Sequence, residues 1–337
     1  MQIKNKIISD NSPTYVIAEI GINHNGSISK AMKMIDYAIE SGCAAVKFQT
    51  FYLDEMLLKN TKLANYQKKT GFQNMTDLLR KYNLSYESFK VIKKYCDKKK
   101  ITFLSTPFDE KSAIFLNKID VPAFKISSGD IDNFLLLSTI KKFKKPIILS
   151  TGMSVISEVK NTVKFLSLKR NELAILHCIS DYPTKVSDTQ LANILLLKKI
   201  KYVVGFSDHT IGDISSSIAV ALGANIIEKH ITLDKTLLGP DHKASISPNE
   251  FTEMVSAIRL VQTILGDGEK VARKSEIANI EIARKSLVAA TAIPVGAYFT
   301  RDNLASKRPG TGRSPMDYWK LLGTRTEEEY SEEDLIS

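Results

Sequence analysis

Eight short apolar runs recur along the chain, each ending in small or polar residues: Tyr15–Ile20, Ala44–Phe48, Ile101–Leu104, Ala123–Ile126, Pro146–Leu149, Leu173–Cys178, Tyr202–Phe206 and Asn225–Glu228. They lack polar alternation, which predicts strands buried on both faces and hence a parallel sheet covered by helices. The segments between them carry helix spacing. In the first, Ala31, Met34, Ile35, Ala38 and Ile39 share one face, Ser27 or Ser29 is placed to cap the start, and Gly42 falls just past the end. Another helix is expected from about Asn249 to Leu265, with Pro248 at its start and Gly266 after its end.

Eight strand–helix units over about 265 residues predict an α/β fold, the (β/α)8 or TIM barrel, typically ~250 residues long. A doubly wound open sheet is the other candidate. It usually shows a Gly-rich first turn, and Gly21-Ile-Asn-His-Asn-Gly26 after the first strand is not G-x-G-x-x-G. The connection from Thr50 to about Ser85 is too long for a plain turn and is expected to be a lid or substrate loop. Past Gly266 the pattern changes. A strand over Ser286–Ala292, a turn-rich Ile293–Thr300 and a short helix around Ser314–Leu322 predict a small second domain. The expected boundaries are 1–266 for the barrel, 267–282 for a linker and 283–337 for the second domain.

The chain has 337 residues, 43% hydrophobic and 25% charged, which excludes collagen-like, low-complexity and disordered readings. No apolar run approaches the roughly 20 residues of a membrane helix. Met1 to Asp10 lacks the apolar block of a signal peptide. Three cysteines, Cys43, Cys96 and Cys178, leave one unpaired in any disulfide scheme and form no C-x-x-C pair, so a reducing cytoplasm is expected. The net charge of +10 sits in lysine clumps: Lys93, Lys94 and Lys98–Lys100; Lys141, Lys142, Lys144 and Lys145; Lys198, Lys199 and Lys201. Each clump closes a helical stretch, where cations complement the macrodipole. With no nucleic-acid motif beside them, a solvated helix end or an anionic small-molecule substrate accounts for the charge, and no nucleic-acid partner is expected.

In a barrel, polar residues at strand C-termini face the active site. On that reading Glu19, Lys47, Gln49, Ser105-Thr106, Lys125, Ser127-Ser128, Ser150-Thr151, His177, Ser180, Tyr182, Ser207-Asp208-His209 and Glu228-Lys229-His230 converge. Lys47, Lys125, Thr106, Ser128, Ser150 and Ser207 form a set able to hold a phosphate and a carboxylate by charge-assisted hydrogen bonds; alternatively, the hydroxyls simply open loops. His209 and His230 end neighbouring strands, where two imidazoles can share one cation or serve structure alone. With Glu19 close by, a manganese- or magnesium-like ion that keeps several waters suits the pair better than zinc. His24 and His242 fall in loops, and His177 reads as core.

At these residues the chain resembles the bacterial sialic acid (N-acetylneuraminate) synthases and the related legionaminic acid synthases. The matching segments run from Ile17-Ala-Glu-Ile-Gly-Ile-Asn-His-Asn-Gly26, Val46-Lys-Phe-Gln-Thr50 and Leu104-Ser-Thr-Pro-Phe-Asp109 through Lys125-Ile-Ser-Ser-Gly129 and Leu149-Ser-Thr-Gly-Met153. They continue in Gly205-Phe-Ser-Asp-His-Thr210, Ile227-Glu-Lys-His230, Gly239-Pro-Asp-His242 and Lys307-Arg-Pro-Gly-Thr-Gly312. The resemblance implies a transferase that condenses phosphoenolpyruvate with an N-acylated hexosamine, N-acetylmannosamine first and the diacetamido-trideoxy sugar of legionaminic acid as the alternative. It implies a C-terminal antifreeze-like (SAF) domain that caps the partner's barrel in a domain-swapped homodimer.

By the same resemblance His209 and His230 ligate a divalent metal, Mn2+ ahead of Mg2+ or Co2+, and Glu19 is the catalytic carboxylate. Lys47, Thr106, Lys125, Ser128, Ser150 and Ser207 bind phosphoenolpyruvate. Gln49, Tyr182 and Asp241 line the sugar site, and Arg308 reaches the sugar's N-acyl group. Asp181 and Lys185 depart from the family pattern, which bears on sugar selectivity. Two other readings stand beside this one. Lys47, Lys125 and Lys229 at strand ends would suit a Schiff-base aldolase, and the small C-terminal domain alone would suit a carbohydrate-binding protein.

Overall fold

Each apolar run folds as a strand: β1 (Tyr15–Gly21), β2 (Ala45–Thr50), β3 (Thr102–Pro107), β4 (Phe124–Ile126), β5 (Ile147–Ser150), β6 (Leu173–Cys178), β7 (Val203–Asp208) and β8 (Ile226–His230). The ladders are parallel and the sheet order is β3-β2-β1-β8-β7-β6-β5-β4, so β1 pairs with β8 and the sheet curls into a (β/α)8 barrel. The computed structural model describes residues 1–58, 61–64 and 67–337 and divides into two units, Met1–Gly266 and Asp267–Ser337.

Strand parity builds the barrel. Alternate residues of one strand face opposite sides. In β1, Val16, Ala18 and Ile20 pack outward against helices, while Tyr15 and Ile17 point into the barrel. In β8, Ile227 packs outward and Ile226 inward. The interior floor is apolar, with Leu104, Ala123, Ile148, Ala174 and Leu176 beside those residues. It is small where strands crowd: a Cβ on Gly205 would lie 2.5 Å from the Ile226 carbonyl oxygen. A hairpin of Gln2–Ile3 and Lys6–Ile7, which the sequence reading had not predicted, sends Ile3 into this floor cluster.

The helices follow their sequence signals. Ser27, rather than Ser29, caps the helix Ile28–Glu40, accepting from the Lys30 amide at 3.3 Å. The helix Pro248–Leu265 starts with a capping box between Ser247 and Glu250. The long connection after β2 is more than a loop. It carries helices Leu53–Met56 and Met75–Tyr82 over a small apolar cluster of Phe51, Leu78, Leu79 and Tyr82. Residues 59–60 and 65–66 of that connection lie outside the described residues.

The smaller unit pairs β9 (Ser286–Ala289) antiparallel with β10 (Leu304–Lys307) over a core containing Leu287, Ile293, Phe299 and Tyr330. The stretch 267–282, expected to be a linker, belongs to this unit and holds most of the helix Lys274–Ala283. Among the described residues no helix is long and apolar enough to cross a membrane, and all three cysteines are free thiols.

Candidate active site

The parity that fills the floor with Tyr15 and Ile17 also brings Glu19 into the barrel two residues later. The same step takes Ala45 to Lys47 and Gln49, Leu104 to Thr106, Ala123 to Lys125, Ile148 to Ser150, and Ile226 to Glu228 and His230. These polar ends surround a cavity of about 330 Å3. Every barrel residue to which the family resemblance gave a role lines it: Glu19, Lys47, Gln49, Thr106, Lys125, Ser128, Ser150, Tyr182, Ser207, His209, His230 and Asp241. Arg308 lies in the smaller unit, exposed, with Nε donating to the Ala283 carbonyl at 3.0 Å.

At the bottom of the cavity two lysines interlock with two carboxylates. Lys47 Nζ lies 2.7 Å from Glu19 Oε2 and 3.8 Å from Glu228 Oε2. It also donates to Thr106 Oγ1 at 3.0 Å. Lys125 Nζ donates to Ser150 Oγ at 2.7 Å and sits 3.6 Å from Glu228 Oε1, which accepts from Ser207 Oγ at 3.0 Å. All four charged side chains are buried. Burial and the nearby Glu228 push Glu19 up to about 7 against the pull of Lys47. Burial also works against the charge on Glu228, but Lys125, Lys47 and the Ser207 hydroxyl outweigh it and hold that carboxyl below its usual value. The two carboxylates are thus driven apart, the signature of one proton carrier and one fixed anion. Burial lowers Lys125, whereas Glu19 and Glu228 overcome burial at Lys47 and raise it.

The two histidines stand with ring centroids 5.6 Å apart, and Tyr182 stacks 4.1 Å from His209. His209 Nδ1 donates to the Ile179 carbonyl at 2.7 Å, which makes Nε2, 3.4 Å from Ser207 Oγ, the acceptor nitrogen of the neutral ring. Among the described residues His230 Nδ1, which is buried, has no hydrogen-bond partner. Burial, then His209 and the lysines, holds His230 well below the usual imidazole range, so it is a neutral donor. The pair therefore fits a divalent ion. Among the described residues no group of three His, Cys, Asp or Glu side chains is arranged around one ion. The fit is two imidazoles with water completing the shell, and the Glu19 carboxylate is engaged by Lys47.

Parity also sorts the residues that fall elsewhere. Lys229, between Glu228 and His230, points away from the cavity. It is fully buried, 3.0 Å from Asp208 Oδ2, and donates to the Thr210 carbonyl. It cannot serve as a Schiff-base lysine in this cavity. His177 is likewise on the outer face, donating to the Thr189 carbonyl at 2.7 Å and stacked on Phe206. His24 accepts from the Gly26 amide in the turn after β1. Sequence reasoning gave Glu228 no role, although its place two residues before His230 is the signal that would have found it. It also missed the apolar part of the wall, made by Ile22, Met56, Met75, Leu79, Phe108 and Met153.

Barrel and cavity together set a cluster of buried lysines, carboxylates and hydroxyls at the C-terminal mouth of a (β/α)8 barrel, the end at which enzymes of that class carry their active sites. The NeuB family profile matches residues 34–270. The chain is 43% identical over 329 residues to the N,N'-diacetyllegionaminic acid synthase of Campylobacter jejuni, spanning 96% of this chain and 98% of that protein. It is 34% identical over 328 residues to the human N-acetylneuraminate-9-phosphate synthase, spanning 96% and 91%. The crystal structure of the N-acetylneuraminic acid synthetase from Leptospira borgpetersenii matches with a TM-score of 0.74 at 34% identity, covering 83% of this chain and 95% of that one. The chain belongs to the NeuB family, the nonulosonic acid synthases that include the legionaminic, pseudaminic and sialic acid synthases.

Proposed function

We propose that this enzyme condenses phosphoenolpyruvate with the open-chain aldehyde of an N-acylated hexosamine, giving a nine-carbon nonulosonic acid and phosphate. The observation that carries this reading is the buried cluster of Lys47, Lys125, Glu19 and Glu228, ringed by Thr106, Ser150 and Ser207. The phosphate and carboxylate of the enol substrate take charge-assisted hydrogen bonds from the two lysines, with Ser128 adding a hydroxyl. Glu228 stays anionic and keeps both lysines charged and aimed. Glu19, raised to about 7, exchanges a proton at its Oε atoms near neutral pH.

C3 of the enol attacks the aldehyde carbon, forming the C–C bond as C2 gains positive character. Glu19 faces that charge and manages the water that adds to C2. Phosphate then leaves by C–O cleavage, drawn by the lysines that have held it throughout. His209 and His230 would hold the divalent ion, manganese first, which when bound supplies Lewis-acid polarisation of the aldehyde. Gln49, Tyr182 and Asp241 orient the sugar. Arg308 of an antifreeze-like domain swapped from the partner would meet its N-acyl group, in a cytoplasmic homodimer.

N-acetylmannosamine is the sugar expected from the sequence. A second reading, the diacetamido-trideoxymannose of legionaminic acid, is favoured by the cavity wall. Met56, Met75, Leu79 and Met153 offer apolar contact to a 6-methyl group and a second acetyl group. Two relatives named N,N'-diacetyllegionaminic acid synthase, at 43% and 38% identity, support it. The test is incubation with phosphoenolpyruvate, Mn2+ and each hexosamine, with the product identified by mass. A nine-carbon acid from one sugar selects between the readings, and no phosphate release with either sugar overturns both. A Schiff-base aldolase would instead be trapped by borohydride, at Lys125, where burial outweighs the neighbouring carboxylates and lowers the proton affinity, as it does not at Lys47.

A further inference from the structure

The first lysine clump is not used up by helix-end solvation. In the two later clumps Lys141 donates to the Phe165 carbonyl, Lys145 pairs with Asp120 and Lys198 with Asp10. Lys99 and Lys100 instead border a second cavity of about 490 Å3, at the N-terminal ends of β1, β2 and β3 and so on the face opposite the reaction site. Lys6 of the N-terminal hairpin and Arg259 of the helix Pro248–Leu265 complete a lining of four cations with no aspartate or glutamate.

Their charges are poorly answered. Lys99 alone has an ion pair, 2.8 Å from Asp36, whereas Lys6 and Lys100 have none among the described residues. Arg259 is half-buried and has no carboxylate partner among the described residues. Its Nη1 donates to the Thr14 carbonyl at 2.8 Å and to Gln262 Oε1 at 3.0 Å, and its remaining N–H groups have no acceptor among the described residues. Tyr15, which opens β1 and lines the same cavity, is buried with its hydroxyl beside the Thr102 side chain. A partly desolvated guanidinium without a counter-charge is costly. One acceptor-rich anion supplies the missing counter-charge, and charge-assisted bonds from Lys6 and Lys100 hold that anion at the mouth.

We infer that this lower cavity binds a small anion carrying two or more negative charges, of the phosphorylated-metabolite class, at a site separate from the reaction centre. A concave site of this size excludes a nucleic-acid duplex and suits a compact polyphosphate or phosphate ester.

Calorimetric titration of the full chain with inorganic pyrophosphate tests the inference, on wild type, on the double variant Lys6→Gln/Lys100→Asn and on Lys125→Gln in the upper cavity. Lys6 and Lys100 are exposed, and asparagine tolerates the left-handed backbone of residue 100 (φ 61°), so the double variant keeps its fold, as an unchanged unfolding midpoint would show. At about 0.1 M salt the double variant is expected to lose roughly tenfold or more in affinity. Lys125→Gln should keep this binding event. Absence of binding in wild type overturns the inference. So does binding that survives intact in the double variant and is lost in Lys125→Gln, which would place pyrophosphate in the upper cavity only.

Discussion

Replacing Lys229 by Met separates a lysine that builds the barrel from the lysines that face its cavity. Lys229 and Asp208 are both fully buried, 3.0 Å apart on the outer face of β7 and β8. Met fills most of the space but leaves Asp208 charged and unpaired. Removing one partner of a buried pair costs about 3–5 kcal/mol. Asp208 keeps three donors, the Thr210 amide at 2.8 Å and the Thr210 and Ser216 hydroxyls at 2.7 Å each. These continue to stabilise its charge, so the lower end, about 3 kcal/mol, is the expected loss. In a unit of this size that corresponds to a fall of roughly 6–12 °C in midpoint. Asp208→Asn in the Lys229→Met background removes the orphaned charge and should restore part of the stability, a coupling read from the double-mutant cycle. Urea unfolding of the four proteins measures the stabilities, and phosphate release measures kcat, which should be unchanged in folded Lys229→Met. Unaltered stability, or a collapse of kcat with the fold intact, would refute the outward assignment of Lys229.

Glu19 makes a pH prediction. Its carboxyl rises from 4.5 to about 7 on folding. Between those values the native protein holds a proton that the unfolded chain has released, so this group's contribution to stability is full at low pH and falls as pH rises. The loss is about 3 kcal/mol across the window. Chelator-treated wild type should therefore lose about that much relative to Glu19→Gln between about pH 5 and about pH 8, and parallel unfolding curves for the two would contradict it. At the imidazole pair proposed to hold the metal, His209→Ala should abolish turnover with circular dichroism unchanged. EDTA should do the same to wild type, reversibly on adding Mn2+, whereas full turnover of metal-free enzyme would reject the role given to the two imidazoles.

Much of the barrel was legible because strands buried on both faces leave unbroken apolar runs. Their ends were harder to place. The run Ile101–Leu104 continues structurally through Pro107, and Asn225–Glu228 through His230, because side chains at the rim turn polar while the backbone ladder goes on. The hairpin Gln2–Ile3/Lys6–Ile7 escaped notice because two-residue strands carry almost no local signal. Ile3 and Ile8 hold it through the floor cluster they share with Tyr15 and Ile17. The helices within 51–85 escaped for a related reason: their apolar residues, Leu78, Leu79 and Tyr82, pack on Phe51 and Ile22, a tertiary partner that local spacing does not announce.

The site was legible as a set of strand-end polar residues, and parity alone would have refined it. Counting by twos from Tyr15 gives Ile17 and Glu19 inside, and from Ile226 gives Glu228 and His230 inside with Lys229 outside. What no pattern could supply is the charge pairing. Four buried ionic groups would be prohibitively costly one at a time. They coexist because Lys47 and Lys125 each answer a carboxylate, and that same pairing keeps the lysines charged until a substrate arrives. Under the proposed chemistry an anionic enol phosphate replaces Glu19 as the counter-charge of Lys47, and the displaced carboxyl, already raised to about 7, takes up a proton. Substrate binding and protonation of Glu19 are then one linked equilibrium, and the cluster that stabilises the empty barrel becomes the acid that the condensation needs.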